Sequence, residues 1–359
     1  MCCLPQVLFF TMELEPSDIF WTMKRSDSCF IAMDSLEEDA ENWDLPPAST
    51  GEFVNKQKEM LQAMLDGLPS QLMEAARRHM HSLLESGETE QLRIGTACSG
   101  TDITWTILRK LFDSSHFAAP NRETVELVHV FSAEKEPFKQ KWIKDNFAPT
   151  FLYDDIKSLG DGHGYCWLCE EDVKVPTVDF FAVGPSCKSV SSLNVKKGSY
   201  KNCVADGSGT TGNTFHETLR YLSWARPFIV TIENVLGLAF MPGQFRNAKN
   251  GVLDMGSTMG LSKNIRFLVQ MLEKLNYHVV VTVVDPRAYG VPQKRLRIWV
   301  LAMWSPVLTS TMYYTPQDIV GQVYQYLEVH RQAVDLFLLE ADSEEFKYWA
   351  AQDRLSDDS

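Results

Sequence analysis

The sequence is short of several things that would place it quickly. It has no apolar run of about 18 residues, the length a helix needs to cross a bilayer, so no membrane span is expected. Its glycines form no dinucleotide-binding fingerprint: the Gly-x-Gly-x-x-Gly match at Gly207–Gly212 follows no expected strand, which argues against a nicotinamide-linked oxidoreductase. Its eight cysteines (Cys2, Cys3, Cys29, Cys98, Cys166, Cys169, Cys187 and Cys203) follow no disulfide framework. A chain of 359 residues does not need such staples, and a reducing intracellular compartment is expected. No positive charge precedes the apolar start MCCLPQVLFF, which reads as a loose terminus rather than a secretory signal. Net positive charge is lacking too: the chain carries −13. The acidic excess gathers in 1–90 and 340–359 and leaves 91–339 slightly basic. That middle region promises only modest general affinity for a polyanion.

What is present reads as globular, with 45% hydrophobic residues. Residues 1–50 form an acidic, flexible lead-in, and 51–90 a helical extension. In the extension Phe53, Met60, Leu61, Met64, Leu65 and Leu72 recur at helical spacing around a break at Gly67-Leu68-Pro69. From 91 to 310 short apolar runs alternate with helical patterns. Strands are expected at 92–98, 125–133, 178–183, 228–232, 278–284 and 297–303, and helices near 103–113, 137–146, 215–225 and 262–275. Strands separated by helices imply an α/β domain with a mainly parallel sheet, and ligands sit at the carboxyl ends of such strands. The Gly-, Ser- and Lys-rich stretch 190–214 reads as a lid or binding loop. Residues 311–359 read as a helical acidic tail, with helices at 318–339 and 343–354.

The polar clusters follow the expected strands. Ala97-Cys98-Ser99-Gly100-Thr101-Asp102 is a turn of small residues after the first, open to an anion or a cofactor. Glu134 ends the second strand, where a carboxylate can accept ribose hydroxyls. Asp155 suits a further contact, although it or Asp154 is equally a helix cap. Cys187 follows Gly184-Pro185-Ser186 at the end of a buried strand, held at a cleft as a nucleophile or resting as an inert thiol. Lys188 is a candidate to stabilise its thiolate. Glu233 and Asn234 follow another strand, too polar for packing; the acid can meet a ring nitrogen. Arg295 and Arg297 share one side of the last strand, suited to a carbonyl oxygen or a phosphate. His163, Cys166 and Cys169 have ligand-like spacing, with Cys203 or His216 as further donors. No second C-x-x-C is present, and no metal is assigned.

Taken together these motifs resemble the C5-cytosine-specific DNA methyltransferase family. Cys98-Ser99-Gly100 stands at its opening cofactor segment, Glu134 at the second-strand acid, and Asp155-Ile156 at its Asp-Ile pair. Gly184-Pro185-Ser186-Cys187-Lys188 aligns with the Gly-Pro-Pro-Cys-Gln catalytic segment. Glu233-Asn234-Val235 matches Glu-Asn-Val, and Gln293-Lys294-Arg295-Leu296-Arg297 matches Gln-x-Arg-x-Arg. The resemblance covers roughly 92–303. Thr96 and Cys98 depart from the acidic and aromatic residues usual in the opening motif. Asp102 stands for a glycine, Ser186 for the second proline and Lys188 for the glutamine. Neither the family's target-recognition region nor its closing Asn motif is found after the last strand.

The resemblance implies a Rossmann-like class I AdoMet-dependent methyltransferase fold over 91–310, and S-adenosyl-L-methionine (AdoMet) as cofactor. Ala97, Cys98, Ser99, Gly100, Thr101, Asp102, Glu134, Lys135, Asp155, Ile156 and Pro185 would bind it. Cys187, Glu233, Arg295 and Arg297 would be catalytic, the thiolate adding to C6 of a flipped-out cytosine. It further implies a DNA (cytosine-5-)-methyltransferase acting in the nucleus, with recognition supplied by a protein partner. RNA, including transfer RNA, is the alternative polymer. A catalytically inactive AdoMet-binding regulator is the alternative class, one that Asp102, Ser186 and Lys188 would suit.

Overall fold

Phe180, Phe181, Ala182 and Val183 are four consecutive apolar residues, all buried. Such a run suits a strand covered on both faces, as in the middle of a parallel sheet. The computed structural model places it there. It describes residues 91–113, 126–191, 202–241, 244, 251–256, 260–289, 294–305, 317 and 320. The expected lead-in, the 51–90 helices, Gln293 and the 318–339 and 343–354 helices lie outside the described residues, apart from Val320.

Among the described residues the strands are β1 (Gln91–Ala97), β2 (Glu126–Ala133), β3 (Phe151–Tyr153), β4 (His163–Cys166), β5 (Glu171–Lys174), β6 (Phe180–Val183), β7 (Ile229–Val235), β8 (Gly251–Val252), β9 (Tyr277–Val284) and β10 (Arg297–Trp304). They form one sheet in the order β5-β4-β3-β2-β1-β6-β7-β10-β9-β8. The centre, β3-β2-β1-β6-β7, is parallel, and both flanks are antiparallel. This is the class I AdoMet-dependent methyltransferase topology. The helices are α1 (Ile103–Asp113), α2 (Pro137–Asn146), α3 (Ile156–Asp161), α4 (Cys203–Asp206), α5 (Gly209–Ala225) and α6 (Lys263–Lys274).

Two apolar clusters sandwich the sheet. Phe181, Val183, Phe215, Leu222, Ile265 and Leu268 belong to the larger. Ile94, Trp105, Leu108, Phe180 and Ala182 belong to the smaller. Alternate residues of β6 thus point to opposite faces, as strand geometry demands. Phe131 sits at the centre of an aromatic group with Tyr153, Phe181 and Tyr221. Gly95 makes room for it, since a Cβ there would press into the Phe131 ring.

The chain runs from β1 outward through β2 and β3, then returns to lay β6 on the other side of β1. The strand order therefore reverses between β1 and β6, and this switch point opens a crevice at their carboxyl ends. The loops after β1 and β6 are among those singled out from the sequence.

Some expectations need correction. Glu233 lies within β7 rather than after it, because β7 continues to Val235 against β10. The stretch 190–214 is not one loop: residues 203–206 and 209 onward are helical, and 192–201 lie outside the described residues. Its Gly and Thr content hid α4 and the first turns of α5, whose remainder was expected at 215–225. Gly212 is required there, because a Cβ would strike the Cys203 carbonyl. The sequence reading also missed β3, β4, β5 and β8. They are two to four residues long, and β4 and β5 are largely exposed.

Candidate active site

On one side of the switch point the turn after β1 is wound tightly. Cys98, Gly100 and Asp102 all have positive φ (49°, 56° and 55°), a region that costs non-glycine residues energy. Hydrogen bonds to the end of β2 hold it. Ser99 N–H donates to the Ala133 carbonyl (3.4 Å), and Gly100 N–H to Glu134 Oε2 (2.7 Å). The other oxygen of Glu134 accepts the N–H groups of Lys135 (2.9 Å) and Glu136 (3.0 Å). Burial raises the Glu134 carboxyl above its ordinary range, and these N–H donors oppose the shift.

Asp155 caps α3, accepting Lys157 N–H at 2.9 Å, which settles its choice with Asp154. Its second oxygen lies 3.8 Å from Lys135 Nζ, an exposed pairing that contributes little. Ile156 is buried behind it. Cys98 lies close enough to both acids to register their charge. Its thiol is pushed up to about 12, by burial first and then by Glu134 and Asp155, with Lys139 opposing. The loops after β1, β2 and β3 therefore converge.

On the other side, the turn 184–191 carries Cys187, whose carbonyl accepts Val190 N–H (3.0 Å) and Ser191 N–H (2.9 Å). Three neighbours pin this turn. Buried Asn234 donates to the Pro185 carbonyl at 2.7 Å. Thr214 Oγ1 accepts Ser186 N–H (3.1 Å) and Thr211 Oγ1 accepts Ser189 N–H (3.0 Å). Gly237 lets the chain after β7 pass close, since a Cβ there would drive into the Val190 carbonyl. The sequence reading missed Thr211, Thr214 and Gly237. The spacing Thr211, Phe215, Thr218, Leu222, all buried, was the available sign of α5.

Glu233 and Arg297 meet across the antiparallel pair β7–β10. Trp299 pairs with Glu233 and Arg297 with Val235, so Arg297 sits diagonally beside Glu233 on one face. Its Nε lies 3.0 Å from Glu233 Oε1, with the two side chains 18% and 19% exposed. Burial raises the Glu233 carboxyl, and Arg297 and then Arg295 oppose the rise. The same groups reach Cys187. Burial raises its thiol, Glu233 adds to the rise, and Arg297 and Arg295 pull it down. Cys187, Glu233, Arg295 and Arg297 thus share one electrostatic neighbourhood, and the cations that favour the thiolate are the arginines of β10 and its approach. Lys188 is exposed.

A family model for C-5 cytosine-specific DNA methylase matches residues 118–343, more than half of the chain. The chain belongs to this family. Among curated relatives, the DNA (cytosine-5-)-methyltransferase DMT5 of Cryptococcus neoformans var. grubii is 28% identical over 260 residues, 72% of this chain and 9% of that protein. The type II methyltransferase M.MspI of Moraxella sp. is 26% identical over 173 residues, 48% of this chain and 32% of that enzyme. This member thus spans a third or less of the length of either relative. The Schizosaccharomyces pombe Dnmt2 methyltransferase structure overlays with a TM-score of 0.40 at 15% identity, covering 67% of this chain and 55% of that one.

The methylase fold is that of an AdoMet-binding methyltransferase, and the residues present fit that cofactor. A buried carboxylate (Glu134), a second acid (Asp155) and a turn of small residues converge at the switch point. A metal has less to hold it. Among the described residues no group of three or more His, Cys, Asp and Glu side chains converges. His163 and Cys166 pair with opposite ends of β5, and His216 is turned to the Val204 carbonyl (2.8 Å).

Proposed function

We propose that this chain transfers a methyl group to C5 of cytosine in a nucleic acid through a covalent adduct with Cys187. AdoMet, bound by Ala97–Thr101, Glu134, Lys135, Asp155, Ile156 and Pro185, with the buried Asp102 side chain behind the turn rather than against the cofactor, supplies the methyl group. C5 of cytosine is a weak carbon nucleophile, and addition of a thiolate at C6 turns the ring into an enamine that is a strong one. Cys187 is the thiol for this step. The Glu233 carboxyl, raised by burial, holds a proton for N3 as charge moves into the ring. Arg297, fixed by Glu233 and supported by Arg295, faces the base O2. Loss of the C5 proton and elimination of the thiolate restore the aromatic ring. The observation that carries this reading is the shared neighbourhood of Cys187, Glu233, Arg297 and Arg295 at the carboxyl end of β6 and β7.

Two polymers stand side by side. DNA is named in the family description and in the DMT5 relative. An RNA target, including transfer RNA, is the second reading, since the chemistry proposed for the cytosine ring is the same on either polymer. A protein that supplies target recognition completes the proposal. The test uses DNA and transfer RNA containing 5-fluorocytosine, with AdoMet. Fluorine at C5 does not leave as a cation, so the protein stays attached to the polymer it acts on. Cys187→Ser should abolish the adduct. An adduct that persists in that variant, or that maps to Cys98 or Cys203, would overturn the assignment. No adduct on either polymer, despite tight AdoMet binding, would make the chain a binding protein rather than an enzyme.

A further inference from the structure

Behind the β1 turn lies a buried polar cluster that the reaction above does not use. Asp102, His129 and Ser132 are 1%, 6% and 0% exposed, and Thr96 is 2%. One oxygen of Asp102, Oδ2, accepts from Thr96 Oγ1 (3.0 Å) and from Ser132 Oγ, and lies 3.2 Å from His129 Nε2. Ser132 Oγ is 2.9 Å from the same imidazole nitrogen. Thr96 Oγ1 is 2.7 Å from Ser99 Oγ, which extends the cluster into the turn itself. Trp105 of α1 stacks on His129 with ring centroids 4.5 Å apart. The set is not a nucleophilic triad. Ser132 donates to the carboxylate, the whole group is sealed from the crevice, and His129 Nδ1 has no partner.

Asp102 departs from what its position favours. It directly precedes α1, where an aspartate normally accepts an N–H of the first helical turn. Here the carboxylate turns back toward the strands, and Oδ1 accepts nothing. Its φ of 55° would suit glycine, and burying a carboxylate is unfavourable. Both costs would vanish with Gly, so the side chain must be holding something.

We infer that Asp102 is a positioning residue. Its carboxylate ties the 98–102 turn to Thr96 of β1 and to Ser132 and His129 of β2, and so fixes Gly100 N–H and Glu134 at the spacing that the cofactor meets. This deepens the AdoMet reading above and rests on it for the binding arm alone. The geometry also says what can replace Asp102. Thr96 Oγ1 lies within hydrogen-bond reach of Asp102 Oδ2, Ser132 Oγ and Ser99 Oγ. A carboxylate carried by position 96 would occupy the same hollow and leave 102 free to be glycine.

The experiment compares wild type, Asp102→Asn, Asp102→Gly and Thr96→Asp/Asp102→Gly. Asparagine keeps the shape and tolerates positive φ, but brings an N–H2 to a site lined by donors. Glycine relaxes the backbone and removes the anchor. S-adenosylhomocysteine binding should weaken about tenfold or more in Asp102→Gly, less in Asp102→Asn, and return to within about threefold of wild type in the double variant. KM for AdoMet should rise more than kcat falls. Hydrogen exchange, followed without cofactor, should speed up about tenfold at 98–102 in Asp102→Gly while β9 and β10 stay protected, and the double variant should restore it. Uniformly faster exchange across the domain would mean a structural residue only and would overturn the inference. So would a folded double variant no better than Asp102→Gly. A wild type that shows no cofactor binding but the expected exchange pattern would sink the AdoMet reading and leave the anchor standing.

Discussion

Cys98 and Cys187 occupy matching places, each in the first turn after a central parallel strand, on either side of the switch point. Burial raises both thiols. Their company differs. Cys98 sits near two acids, Glu134 and Asp155, with Lys139 as the opposing cation, and is driven up to about 12. Cys187 has one acid, Glu233, and two arginines against it. A cysteine at a strand end is therefore set first by how deeply it is buried and then by the charges that later segments bring to it. The acids beside Cys98 suit a nucleoside cofactor and silence a thiol. The arginines beside Cys187 suit an electron-rich ring and favour a thiolate.

The largest expected effect tests that contrast directly. Cys187→Ser should lower methyl transfer about 10⁴-fold or more. Cys98→Ser should still form the adduct on 5-fluorocytosine, with any change appearing in KM for AdoMet. Equal loss of adduct in both variants would erase the distinction between the two turns.

Arg297→Ala should come next, with kcat reduced about 10²-fold through the lost contact to developing charge. Its pH dependence carries the sharper sign. The reactive form is the thiolate, so activity climbs as pH rises through the thiol's value. Removing a cation that pulls that value down must move the climb to higher pH. A pH–rate profile that keeps its midpoint would show that Arg297 does not reach Cys187.

The pins on the Cys187 turn can be tested by stability. Asn234→Ala strands the buried Pro185 carbonyl and should cost about 1–3 kcal/mol in urea unfolding, with a fall in kcat as the Cys187 turn loosens. Gly237→Ala should have the same signature, since its new methyl displaces Val190. A change in cofactor affinity alone would place these residues on the wrong side of the crevice.

The smallest effect is a slope. Burial raises the Glu233 carboxyl, so the folded state holds its proton more tightly than the unfolded chain. The stabilisation linked to that proton is full below the unfolded value and is lost as pH rises through the folded one. Glu233→Gln has no proton to lose. The stability of the variant relative to wild type should therefore climb with pH across the carboxylate range, whatever constant offset comes from leaving Arg297 without its acid. A flat difference would mean that Arg297 fully offsets the burial of Glu233.

The sequence by itself determined the alternating framework and the order of its chemical segments. Four apolar residues in a row at 180–183 admit little but a doubly covered strand. Small or polar residues after such strands lie at the carboxyl edge of a parallel sheet. That logic picked out Cys98, Glu134, Asp155, Cys187 and Glu233 through local pattern. Tertiary structure alone decided what each one meets. Asp154 and Asp155 look alike until α3 starts on one of them. Glu233 and Arg297 are far apart in the chain and become neighbours only through the antiparallel register of β7 and β10. The start of α5 in a Gly- and Thr-rich stretch was set by packing against α4, which overrides weak local propensity. The direction of the Asp102 side chain was also beyond local reading. A residue before a helix is expected to cap it, and only the folded sheet brings Ser132 and His129 close enough to turn that carboxylate the other way.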